Sequence, residues 1–228
     1  MRLIDGGDDR LFHTATVAAR LGRAEKILEP LLADYDDNWD DPEAGFRYGL
    51  ALVAVIQAGG TDQQKRDWYT RSMEALDDVV EGDPEHWLAR YCRIRNRVLI
   101  RTGYGRYQEY LNDELGKVAD DVQQLLHRQE QVPWQPYFAA GLLLAAQFHA
   151  GQGDQARAAD LVAGAASRDG GPVPWRSLGT IMSEPMLVLY HGSLPPPVKS
   201  QIVAAMLRLF PGSPAVRSTV RAGAQRPP

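Results

Sequence analysis

Arg90, Arg93, Arg97 and Arg101 recur at the three- and four-residue spacings that place side chains on one face of a helix. Trp87, Tyr91, Ile94 and Val98 fall beside this stripe, and Leu88, Cys92 and Leu99 fall behind it. Guanidinium forks next to aromatic rings can hold carboxylates, including the terminus of a peptide, in bidentate geometry. Trp87, Arg90, Tyr91, Arg93, Arg97 and Arg101 are therefore the candidate ligand-binding set. The same charges have a second account, because Glu74, Asp77, Asp78 and Glu81 on the preceding helical stretch could neutralise them inside the fold.

A second concentration of charge is acidic. No basic residue stands between Lys26 and Arg47, and Asp34, Asp36, Asp37, Asp40, Asp41 and Glu43 surround Trp39. Such a loop can bind a cation or a basic partner, or simply be solvated. It is not an EF-hand, because Trp39 stands where a calcium loop requires glycine and no glutamate closes it. Asp36-Asp37-Asn38-Trp39-Asp40 resembles the DDxxD motif of class I isoprenoid synthases, all-α enzymes that hold diphosphate through magnesium. That resemblance implies Asp36, Asp37 and Asp40 as ligands, with Asn112, Asp113, Gly116 and Asp120 as a second, degraded motif. Glycine and aspartate there replace the family's hydroxyl residue and glutamate. The chain is also short for that fold, and Pro42 follows the first motif closely.

Other chemistry is poorly supported. His13, His86, His127, His149 and His191 include no pair at i,i+4, so no helical metal site is assigned. No glycine-rich phosphate loop or nucleophile elbow is present, and Gly103-Tyr104-Gly105 reads as a helix–helix turn. Asp77-Asp78 and Asp120-Asp121 are adjacent pairs that diverge around a helix instead of converging on one reacting atom. Cys92 lies among apolar residues and reads as an inert core thiol. No catalytic residue, metal or cofactor is assigned.

The chain has 228 residues, 44% hydrophobic and 24% charged, enough for a sizeable core. With 25 basic against 29 acidic residues its net charge is -4, which gives no basis for a nucleic-acid partner. The longest apolar run, Tyr137 to Ala146, is about half the roughly 20 residues that span a bilayer. Acidic residues stand among the first ten where a signal peptide would be basic, and Cys92 is the single cysteine, so a cytoplasmic location is expected.

Good helix formers predominate and alternating β-branched runs are nearly absent, so the elements that position these residues are helices. Glycines at 22, 59–60, 103, 151, 153 and 192 punctuate five helical hairpins: 10–21 with 23–34, 43–58 with 62–81, 84–102 with 105–130, 135–150 with 154–167, and 177–190 with 195–210. Thr61 with Gln64 forms a capping box, Asp83 before Pro84 reads as an N-cap, and Asp154 caps the helix after Gly153. Trp134, Tyr137 and Trp175 beside prolines read as structural packing.

The fourth hairpin carries a family pattern: Leu142, small Ala146, Gly153-Asp154 at the turn, then Ala158 and Ala165 seven residues apart. It resembles a tetratricopeptide repeat. The first hairpin retains Leu11, Ala15 and Gly22, with Pro30 interrupting its second helix. The resemblance implies an all-α, right-handed superhelix of about five stacked hairpins, in which the first helix of each pair lines a concave face. One repeat domain over 1–211 and a flexible tail over 212–228 are expected. A non-catalytic adaptor, scaffold or pathway chaperone that binds a protein or peptide segment follows, with the magnesium-dependent diphosphate enzyme as the alternative. Ile202, Val203, Met206, Leu207 and Phe210 supply apolar surface on which a homodimer could form.

Overall fold

The computed structural model describes residue 2 and residues 4–103, 115–168 and 171–224, of which 99–103, 115 and 222–224 by backbone alone. Every regular element among them is a helix. In chain order these are α1 (Gly6–Arg20), α2 (Glu25–Asp37), α3 (Pro42–Ala58), α4 (Asp62–Gly82), α5 (Trp87–Gly103), α6 (Leu115–Glu130), α7 (Phe138–Gly151), α8 (Gln155–Ser167), α9 (Leu178–His191), α10 (Pro196–Leu209) and α11 (Pro214–Ala224).

The local punctuation follows from side-chain chemistry. Thr61 Oγ1 accepts from Gln64 N at 3.2 Å while Gln64 Oε1 accepts from Thr61 N at 2.9 Å, a complete capping box. Asp154 accepts from Arg157 N at 3.1 Å and starts α8. Asp83 does not cap α5. Its carboxylate accepts from Glu85 N at 3.0 Å within a turn, and α5 begins three residues later than expected, after His86. Start of the expected helix 105–130 lies outside the described residues up to position 114.

Pro214, expected to lie in the tail, instead opens α11, whose Val216 is fully buried. Proline terminates a helix from within but is well placed at its first turn, and Arg217 N donates to Ser213 O at 3.1 Å as that turn forms.

Contacts divide the chain into two compact units, Met1–Arg128 and Gln129–Pro228, where one domain over 1–211 was expected. In the first unit α3 is central, packed by α1, α2, α4 and α5. Its residues from Ala44 to Val55 are buried except Arg47, because the sequence there has no polar stripe. Gly49 lets α4 approach closely: a Cβ at that position would stand 3.0 Å from Leu76 Cγ. In the second unit α7 is likewise enclosed, packing on α8 and α9, and Ala146, Ala158 and Ala165 are all fully buried. These are the small residues that carry the repeat pattern. The α10 residues Ile202 and Met206 also face inward, with Phe210 just after the helix, so the apolar surface expected for self-association is reduced to Leu207, 45% exposed, and half-buried Val203.

Gly60 is the most constrained turn residue. Its φ of +93° lies in the left-handed region, and a Cβ there would come within 2.5 Å of Trp68 Cζ3. Trp68 is buried, and its indole Nε1 donates to Glu25 at 2.9 Å, so the ring has little room to yield. Gly60→Ala is expected to destabilise the fold by about 2 kcal/mol or more in urea denaturation. Gly153→Ala, at φ +86° with nothing within 4 Å, should show the conformational strain alone, about 1 kcal/mol.

Candidate functional site: a buried arginine–aspartate cluster

Arg90, Arg93 and Arg97 share one face of α5, and that face is turned inward. Asp121 of α6 gathers three of its members. Arg90 Nη1 donates to Asp121 Oδ1 at 2.7 Å and Arg93 Nε to Oδ2 at 2.8 Å, while a second Arg93 nitrogen reaches Oδ1 and makes the pair bidentate. Arg97 Nη1 donates to Asp121 Oδ2 at 3.3 Å. Asp77 of α4 closes the other side, accepting from Arg93 Nη1 at 3.0 Å and from Arg97 Nη2 at 3.2 Å. The Arg97 side chain is 0% exposed and that of Asp121 3%. Arg90 Nη2 also donates to Pro84 O at 3.0 Å, which ties the turn before α5 to the cluster.

The structure places most of the expected ligand-binding set inside the first unit. Trp87 and Tyr91 stack on each other, ring centroids 5.2 Å apart, and both are buried. With Arg90, Arg93 and Arg97 they belong to the core of the first unit, and the Arg101 side chain lies outside the described residues. The guanidinium groups of Arg90, Arg93 and Arg97 are paired with Asp121 and Asp77 within the unit. Among the acidic residues proposed to neutralise the stripe, Asp77 does so. Asp121 was missed, because the sequence offers no sign of which aspartate in the adjacent pair faces inward.

Residues 44–55 of α3 other than Arg47, residues 87–98 of α5 and most of α7 in the second unit are buried or half-buried, so these stretches expose no continuous stripe.

The acidic stretch expected to be a loop is largely helical, with Asp34, Asp36 and Asp37 at the end of α2 and Glu43 at the start of α3, and most of it is exposed. Several of its members have structural partners: Arg47 Nη1 donates to Asp34 at 3.2 Å, Asp41 accepts from Glu43 N at 2.9 Å to cap α3, and the Tyr35 hydroxyl donates to Asp78 of α4. Asp36, Asp37 and Asp40 are exposed, and Trp39 is 77% exposed. Asp120 is exposed on α6, while Asn112 and Asp113 lie outside the described residues. Among the described residues no three histidine, cysteine or acidic side chains converge as a metal site would require. Among the described residues the aspartate-rich motif has no assembled partner set, and the second motif's Asn112 and Asp113 fall outside them.

A shallow cleft of about 190 Å³ opens where the starts of α2 and α4 approach, lined by Arg23, Glu25, Lys26, Gly60, Gln64 and Trp68. Its Glu25 is held by the Trp68 indole. Cys92 is completely buried, which pushes its thiol up to about 12 and leaves it protonated and unreactive.

In the second unit Trp134 and Tyr137 meet Phe138 edge to face at 5.7 and 4.9 Å, and Arg168 lies 4.8 Å from the Trp134 ring centre. These are packing contacts. Among the described residues no helix is long and apolar enough to cross a membrane. Comparison of the chain with protein-family models, with curated proteins and with solved structures finds no match.

Proposed function

We propose that this chain is a tetratricopeptide-like helical-repeat protein, non-catalytic, acting in the cytoplasm as a binding module for a protein or peptide segment. The observation that supports this reading is the order of packing within each unit. Each first helix lies on the first helix of the next pair, α1 on α3, α3 on α5 and α7 on α9, while α8 packs on α10. That succession is what stacked hairpins produce, and a superhelical array is its natural extension. Because Arg90, Arg93 and Arg97 are paired internally, binding is assigned to outward surface. The most exposed large apolar side chain among the described residues is Trp39, standing among Asp36, Asp37 and Asp40.

Crosslinking in lysate followed by titration calorimetry with the purified partner tests the proposal. A stoichiometric protein partner is expected, bound at least about tenfold more weakly by Trp39→Ala, since exposed tryptophans are frequent binding hot spots. No stoichiometric partner, together with a melting midpoint that rises only with magnesium and inorganic diphosphate, would overturn the binding-module reading in favour of the enzyme.

A further inference from the structure

Beside the arginine cluster lies a group that neither the stripe nor the acidic stretch uses. His86 immediately precedes α5 and is only 2% exposed. Its Nδ1 accepts the backbone N–H of Ala89, three residues on, at 3.2 Å. This is the position and contact of an N-cap, made by an imidazole in place of the usual hydroxyl or carboxylate. A nitrogen that accepts carries no proton, so the ring is neutral with its hydrogen on Nε2. That nitrogen is buried and has no hydrogen-bond partner among the described residues.

The surroundings oppose a second proton from several directions. The ring rests on Phe46 of α3, centroids 4.2 Å apart. The Arg2 guanidinium lies 4.7 Å from the same phenyl centre. Arg2 is locked there by Asp8 of α1, at 2.9 and 3.0 Å, and by Glu43 of α3, at 2.8 and 3.0 Å. Those two carboxylates are thereby engaged with Arg2. The charges of Asp83, at the end of α4, and of Asp8 favour the proton, but Asp8 is engaged with Arg2, and Asp83 Oδ1 accepts from Glu85 N and its carbonyl from His86 N, at 3.0 Å in both cases. The positive end of the α5 dipole points at Nδ1 as well. Burial first, then the Arg2 charge, lowers the His86 pKa to about 4.

We propose that His86 is a proton-sensitive cap on α5: the neutral imidazole holds the first turn of the helix closed, and its protonation at Nδ1 removes the acceptor of Ala89 N and opens the segment around 83–92. Protonation converts Nδ1 from acceptor to donor, so the bond to Ala89 N is lost at the moment a cation appears beside Arg2. The opened state, in which the imidazole is solvated, takes up its proton near the ordinary histidine value of about 6.5. Closure is therefore fully favoured above about pH 6.5 and weakens as pH falls toward 4. The opening constant should rise by up to about tenfold per pH unit through that interval.

Hydrogen exchange at the Ala89 amide of the full chain reads this constant once intrinsic exchange rates are divided out. In the wild type the protection factor should fall by about tenfold per unit between pH 6 and pH 4.5. His86→Asn keeps a short side chain that can cap the same N–H but does not titrate, so its protection factor should stay level across the interval. Should His86→Asn fail to fold, imidazole nitrogen NMR of the wild type decides the question, by showing Nδ1 unprotonated at pH 7 and titrating well below 6. The proposal is overturned if Nδ1 carries the proton at pH 7, if His86 titrates near 6.5, or if wild type and His86→Asn lose protection in parallel.

Discussion

Asp121→Ala is expected to lower stability by about 3–5 kcal/mol in urea denaturation, the largest effect of any single ionic substitution among the described residues. Asp121 is the shared acceptor of Arg90, Arg93 and Arg97 and its side chain is 3% exposed. Removing it leaves buried guanidiniums facing one another, with Asp77 the remaining carboxylate of the cluster. Removing a cation is milder. Arg90→Met leaves Asp121 paired with Arg93 and Arg97, replaces an aliphatic stem with another, and gives up one bond to Pro84 O. Its cost should be about 1–2 kcal/mol. The sequence neighbour provides the control: Asp120 is exposed, and Asp120→Ala should change stability by no more than about 0.5 kcal/mol. Equal losses for the two aspartates would contradict the buried cluster.

Phe138→Ala should be nearly as severe in the second unit, about 3–5 kcal/mol in the same denaturation assay. The ring is fully buried at the first turn of α7 and receives edge contacts from Trp134 and Tyr137. α7 is enclosed by α8 and α9, whose backbones cannot collapse into a phenyl-sized hole, so the cavity persists. Trp134→Ala should cost less, about 1 kcal/mol. That indole is half-buried, and its truncation removes the contact with Phe138 and the stacking of Arg168 without opening the core. If Trp134→Ala were the more damaging, the packing centre of this unit would lie at the turn before α7 and not within the helix.

Relations spanning three or four residues were legible in the chain itself. The Thr61–Gln64 box, the Asp154 cap and the all-helical character each depend on local geometry that sequence spacing encodes directly. Local signals also competed: Asp83-Pro84 has the composition of a helix start, yet it forms a turn and His86 takes the cap. Pro214 likewise reads as either a stop or a first turn, and the burial of Val216 decided for α11.

The helical spacing of Arg90, Arg93 and Arg97 determined that they share one face of α5, and the acidic residues upstream pointed to Asp77. Whether that face met solvent or protein was decided by α6. Asp121 lies 24 to 31 residues beyond its three arginines, and an adjacent aspartate pair fixes neither the rotation of its helix nor which member turns inward. Enclosure of α3 and α7 was already written in their lack of a polar stripe, since a helix apolar on all sides must be covered on all sides. Which helices do the covering depends on close approaches such as Gly49 against Leu76, and these are set by packing between distant segments, which spacing along one helix does not encode.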